Sequence, residues 1–259
     1  MSSLMDTRLN AMRKPAIDPL DLVYPPLCSF CGGGLAAGRA LCESCAAGMT
    51  RIVPPFCDVC GEGFQGQIDG TFDCPNCKEI SFSFEFARAA MDRSDETLEL
   101  IHRLKYGREI HLARDLGILA CDAFQDRRLA VALEEKWPLV PVPLHWRRQR
   151  DRQFNQAEEI SKFVGEMMGL AVVKRLKRVR RTQTQTRLSR RQRMENLKGA
   201  FAIRKSWFFE KENPIGKDKT PGVILVDDVF TTGSTVDDCA KVLRKAGAGR
   251  VVVLTVMRG

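Results

Sequence analysis

No run of about 18 apolar residues occurs in the chain, so nothing in it reads as a membrane span. G-x-G-x-x-G is absent, and with it the dinucleotide-binding fingerprint. No G-K-[ST] stands at the spacing of a nucleotide P-loop either. Residues 1–21 carry charges and lack an apolar core, which argues against a secretory leader. The sequence therefore predicts a cytoplasmic protein whose first 14 residues have little to bury and are poorly ordered. No internal repeat is visible beyond the paired cysteine motifs described below.

The 259 residues suffice for one large domain, or one domain plus a small module. A hydrophobic content of 44% is that of a globular protein. The net charge of +9 favours anionic partners, and its distribution matters more than its total. Ten of the twenty residues from Lys174 to Arg193 are Lys or Arg, and Arg147, Arg148, Arg150 and Arg152 form a second cluster. Such runs serve as a solvated face or as a surface for phosphates. Few aromatics interleave the first run, so base stacking is not signalled there.

Eight of the ten cysteines form four C-x-x-C pairs: Cys28/Cys31, Cys42/Cys45, Cys57/Cys60 and Cys74/Cys77. A C-x-x-C knuckle puts two thiolates on one side of a tight turn, and two knuckles close a tetrahedral site that suits Zn²⁺. Gly32 and Gly61 follow two of the knuckles, where a side chain would crowd the turn. Two structural Zn²⁺ sites are expected, paired sequentially or interleaved. Iron–sulfur ligation uses the same thiolates, whereas a disulfide scaffold does not suit a reducing compartment. Four thiolates leave no open position on the metal. Metal binding can carry the folding of so short a segment, so chelation is expected to unfold residues 28–77 alone. Cys121 and Cys239 fall in apolar helical patterns and read as core.

Val223 to Val226 form a continuous apolar run, the mark of a strand buried on both faces. Asp227 and Asp228 follow, then Thr231, Thr232, Gly233, Ser234 and Thr235, then a helical pattern ending near Gly247. A small-residue loop between a buried strand and a helix cradles phosphate through its backbone N–H groups. The paired carboxylates suit hydroxyls or a hydrated cation. A site for both phosphate and diol is a site for a sugar phosphate, and this order of residues matches the 5-phosphoribosyl-1-pyrophosphate (PRPP) motif of type I phosphoribosyltransferases.

Elsewhere, Phe82, Phe84 and Phe86 alternate as in a strand. Helices are expected over 95–105 and 110–124, and from the Asn155 cap to Met168, stopped by Gly169. Strands are expected over 139–142, 171–173, 199–203, at Ile224 and over 251–256. The stretch 210–221 reads as a loop. Alternation of this kind gives an α/β fold with a mostly parallel sheet flanked by helices, ligands binding at the C-terminal strand edge.

Four knuckles ahead of such a loop resemble the ComF family, the double-zinc-ribbon, phosphoribosyltransferase-like competence proteins. Leu22-Val-Tyr-Pro-Pro-Leu-Cys28, Leu104-Lys-Tyr106, Val140-Pro-Val-Pro-Leu-His145, Arg152-Gln-Phe-Asn-Gln156 and Thr182-x-x-Gln185-x-x-Leu188 with Arg193, Asn196 and Phe201 all look like family motifs. Gln153 departs from the pattern, which has Gly there. If that position needs a positive φ, Gln costs about 1 kcal/mol. The resemblance implies a tail over 1–25, a zinc-ribbon module over 26–80 and a type I phosphoribosyltransferase-like domain over 81–259. It implies that Asp227 and Asp228 hold the ribose hydroxyls, directly or through Mg²⁺-bound water, and act in catalysis, while Thr231–Thr235 take the 5-phosphate. Leu144 and His145 would lie near pyrophosphate. Arg180, Arg181, Arg187 and Arg193 would stand in the place of the flexible catalytic loop. Three functions follow: phosphoribosyl transfer to an acceptor, binding of single-stranded DNA or of a helicase-type competence partner, and PRPP sensing. With three histidines in the chain, an appended glutaminase is not part of the reading.

Overall fold

The computed structural model describes residues 25–35, 38–64, 74–78, 80–180, 199–204 and 222–259. Its main sheet has four parallel strands in the order β1-β6-β5-β2, namely β1 (Ala87–Met91), β2 (Leu139–Pro141), β5 (Val223–Phe230) and β6 (Val251–Arg258). A separate antiparallel pair joins β3 (Leu176–Arg178) to β4 (Phe201–Ile203). The helices are α1 (Glu43–Ala47), α2 (Asp95–His102), α3 (Leu112–Ala120), α4 (Ala130–Glu134), α5 (Trp146–Arg152), α6 (Gln156–Met168) and α7 (Ser234–Lys245). No helix among the described residues is long and apolar enough to cross a membrane.

The apolar runs of β5 and β6 are explained by burial on both faces. Ile224, Val226, Val252, Leu254 and Val256 belong to one apolar cluster, with Leu112 and Leu116 of α3 and Ile160 and Val164 of α6. Val223, Leu225, Val251 and Val253 belong to a second, with Val236, Cys239, Ala240 and Leu243 of α7. Alternate residues along each strand thus serve opposite layers, as the two-residue period requires. Cys121 and Cys239 are both fully buried, and burial pushes the Cys121 thiol up to about 12.

The Cys-rich segment shares both layers. Cys28, Leu41 and Met49 pack in the first cluster with Met91, while Cys57, Cys60 and Cys74 pack in the second with Phe84, Ala87 and Phe230.

Several elements differ from the sequence expectation. The strand expected at Phe82–Phe86 begins at Ala87. Phe82 and Phe84 instead stack on each other at 4.6 Å and meet Phe230 edge-on at 6.5 and 6.0 Å, so aromatic packing governs their alternation. The segment 171–173 supplies a single bridge, Leu139 to Val172. The strand over 223–226 extends through both aspartates to Phe230. The helix expected to reach 105 ends at His102 and widens into a π-helical turn, Arg103–Gly107, followed by Arg108 at φ 59°. The α6 helix runs as expected, with Asn155 accepting from Ala157 N–H and Gly169 closing it at φ 70°. Helix α5 and strand β3 were not legible in the pattern. The expected tail over 1–14, the loop over 210–221, Arg181, Arg187 and Arg193 lie outside the described residues.

Candidate metal centres and sugar-phosphate cleft

The knuckles pair sequentially. Cys28, Cys31, Cys42 and Cys45 form one cluster and Cys57, Cys60, Cys74 and Cys77 the other, the sulfurs of each lying within 4.8 Å of one another. A tetrahedron with Zn–S bonds of about 2.3 Å has edges of about 3.8 Å. Cys31–Cys42 and Cys60–Cys74 measure 3.7 Å and Cys57–Cys77 3.9 Å. Backbone N–H groups turn toward the sulfurs, Cys42 to Cys28 and Cys45 to Cys42 at 3.4 Å, and Val59 to Cys57 at 3.4 Å. No disulfide joins the ten cysteines. Two four-thiolate sites of these dimensions fit two structural zinc ions. Gly32 and Gly61 both sit at φ 69°, and the crowding at Gly61 comes from the sheet: a Cβ would lie 2.7 Å from Ala87 O. At Gly32 nothing crowds, and the backbone angle alone makes the demand.

A cleft of about 450 Å³ opens at the C-terminal edge of the sheet. Asp227, Asp228, Thr231, Thr235 and Leu144 line it, which brings five of the expected site residues together. Asp228 is 8% exposed and pairs with Lys105, Nζ to Oδ1 at 2.9 Å. Asp227 accepts from Asp228 N–H at 2.9 Å. Its side chain is half-buried on the cleft wall. Burial, aided by the Asp228 charge and opposed by Lys105, pushes its carboxyl up to about 7.

The loop geometry follows from its residues. Gly233 takes φ 75° and precedes the first residue of α7 without a side-chain cap. A Cβ there would stand 2.7 Å from Phe230 Cζ and 3.0 Å from Phe82 Cε1, so only glycine fits. The Thr232 and Ser234 hydroxyls are 2.8 Å apart. Asp237, in the first turn of α7, accepts from Ser83 N–H at 2.7 Å and from Lys241 at 2.5 Å, which ties the helix start to the segment before β1.

Other expected residues lie elsewhere. His145 is buried and caps α5, its Nδ1 accepting from Arg147 N–H at 3.4 Å. Arg180 is exposed and does not line the cleft. The cations that do line it are Arg93, Lys105, Arg148, Arg152 and Arg178. Burial holds the Arg178 guanidinium below its ordinary pKa, and the Arg148 charge adds to this. Sequence reasoning had no role for Lys105, although the Leu104-Lys-Tyr106 motif marked it. The π-helical turn is what swings it to Asp228, held there by Arg103, which bonds both Glu109 oxygens (2.8 and 2.6 Å) and Ser29 O (2.9 Å). Widened turns of this kind are frequent at functional sites.

A parallel sheet between helical layers, built together with two four-cysteine clusters, defines a double-zinc-ribbon α/β protein. The double zinc ribbon domain model matches residues 19–79. Competence protein F of Haemophilus influenzae is 31% identical over 233 residues, covering 89% of this chain and 96% of that protein. DNA utilization protein YhgH of Salmonella typhimurium is 30% identical over 239 residues, 92% of this chain and 99% of that one. Its namesake in Escherichia coli K12 is 30% identical over 241 residues, 93% of each. The chain belongs to the ComF family.

Proposed function

We propose that the cleft binds PRPP or a closely related sugar phosphate together with Mg²⁺, and that the chain serves competence or DNA utilization, the roles its relatives are named for. The observation that carries the reading is the convergence of an acid pair, the two threonines that bound the T-T-G-S-T loop, and five cations on one cleft at the C-terminal strand edge. The loop N–H groups and hydroxyls suit the 5-phosphate. Asp227 and Asp228 suit the ribose hydroxyls, or the waters of a hydrated cation. Lys105, Arg148, Arg152 and Arg178 suit the pyrophosphate, whose charge grows as it leaves C1. In transfer, the C1–O bond to pyrophosphate breaks and an acceptor lone pair forms the new bond, so no side chain need act as nucleophile. Calorimetric titration of PRPP with Mg²⁺ into the wild type and the Asp227→Asn/Asp228→Asn variant tests this. Saturable binding, lost in the variant, is the expected result, with pyrophosphate release then used to screen acceptors. No binding to folded, zinc-loaded wild type refutes it.

One observation favours nucleic acid as a second ligand. Trp146 is 55% exposed with Arg147 and Arg150 each 5.1 Å from its ring centre, and Tyr106 is 63% exposed with Arg152 at 5.0 Å. Exposed rings among cations suit stacked bases of a single strand. Trp146 lines a second cleft of about 380 Å³ that shares Leu144 and Arg178 with the first. Binding of labelled single-stranded DNA that weakens steeply from 50 to 200 mM salt, and further in Trp146→Ala, is expected. Salt-insensitive binding excludes this reading.

A further inference from the structure

One guanidinium joins the second cysteine cluster to the loop that opens at Thr231. Arg258, in β6, is 4% exposed. Its Nη1 donates to the carbonyl oxygens of Phe230 and Thr231, both at 2.9 Å, and to that of Gly259 at 2.5 Å. Its Nη2 pairs with Glu62 at 2.5 Å and reaches toward Cys60 Sγ at 4.0 Å. The Phe230 ring centre lies 5.0 Å away and limits how far the side chain can move. A second set of contacts runs the same way: Phe82, five residues past Cys77, abuts Gly233, and Ser83 bonds Asp237. Zinc with four thiolates carries a net charge of about −2. Donors behind the sulfurs of such a site are favoured and help fix its geometry. Arg258 is placed as such a donor, and its other nitrogen is committed to the loop.

We propose that Arg258 is a positioning residue through which the state of the Cys57/Cys60/Cys74/Cys77 site sets the order of the Thr231–Thr235 loop. With the site metal-loaded, Nη2 is held by Glu62 and the Cys60 thiolate, and Nη1 fixes the Thr231 carbonyl. Removal of the metal releases one side of this clamp and loosens the loop. The bearing on ligand binding rests on the proposed function; the coupling itself does not.

Hydrogen exchange of the full-length, zinc-loaded protein, read over residues 229–236, tests the coupling without any ligand. Arg258→Met and Glu62→Gln are expected to speed exchange there about five- to tenfold, with two zinc ions retained and the α3 and α6 amides unchanged. Cys74→Ser, which breaks the second site, is expected to speed exchange over 229–236 in the wild-type background, and Cys31→Ser, in the first cluster, is not. Adding Cys74→Ser to Arg258→Met is expected to change exchange less than Cys74→Ser does in the wild-type background, the signature of a shared path, the remainder running through Phe82 and Ser83. Unchanged loop exchange in both single variants overturns the proposal, as do additive effects or an equal response to Cys31→Ser. Glu62 is half-exposed, so its variant keeps the test decisive if Arg258→Met fails to fold. PRPP titration of the same samples separates the two claims. Absent binding with the exchange pattern intact removes the sugar-phosphate reading and leaves the coupling. Normal binding with a flat exchange pattern does the reverse.

Discussion

Replacing Gly233 by alanine isolates what the Thr231–Thr235 loop demands of its backbone. At φ 75° an L-residue carries about 1–2 kcal/mol of left-handed strain. A lower unfolded-state entropy returns about 0.4–1 kcal/mol of this. The new Cβ would also lie 2.7 Å from Phe230 Cζ and 3.0 Å from Phe82 Cε1. Phe230 cannot swing aside, because it is 1% exposed and sits between Phe84 and Arg258. Overpacking of this kind costs about 1–3 kcal/mol. The sum is about 1–5 kcal/mol, read from the urea midpoint at constant m-value. Gly247→Ala is the matched control, since Gly247 has φ 99° with no heavy atom within 4 Å of a Cβ. It should cost the backbone strain alone, about 1 kcal/mol. A Gly233→Ala variant no less stable than Gly247→Ala would refute the packing argument.

Gln153→Gly should raise stability by about 0.5–1 kcal/mol, because Gln153 holds φ 71°; a lower urea midpoint would contradict this. Asp227→Asn should stabilise the protein with a defined pH dependence. The unfolded carboxyl loses its proton near 3.8 and the folded one near about 7, so wild-type stability falls as pH rises through that window. The variant's advantage should therefore grow across it and reach about 1–2 kcal/mol above it, and an advantage that does not vary with pH would count against the assignment. Metal analysis should find two zinc ions per chain. Stripping them should lower the midpoint of the whole fold, not melt residues 28–77 alone, because cysteines of both clusters lie in the same apolar layers as the sheet. Selective proteolysis of 28–77 in chelator, with the rest intact, would show the opposite.

Much of the fold and part of the candidate site were legible in the sequence, and the reasons differ by element. The thiolate sites were readable because C-x-x-C spacing is itself the geometry of a knuckle. Strands β5 and β6 were readable because burial on both faces leaves a continuous apolar run. The left-handed backbone at residue 153 was raised only as a condition, from the glycine that the family motif has there, and the structure meets it at φ 71°. Lys105 and Arg178 were not assignable, since each reaches the cleft through tertiary placement, one by a π-helical turn and one by a three-residue strand. Phe82–Phe86 misled because an aromatic alternation that packs on Phe230 has the same period as a paired strand. Arg258 carried no local signal: its partners in the loop and in the cysteine segment lie 27 to nearly 200 residues away along the chain.

The strand order has a consequence for how the molecule is made. The two inner strands, β5 and β6, are the last two in the sequence, and β1 at the far edge pairs with β6 across a separation of 166 residues at Ala87 and Val253. Pairings so distant fold slowly. On the ribosome, the apolar faces of α3 and α6 emerge well before the strands that cover them. The cysteine knuckles, whose partners are at most 20 residues apart within each cluster, can close first. Early metal capture would then give the waiting chain a fixed end on which the late strands assemble, and zinc supply during synthesis would govern the yield of folded protein.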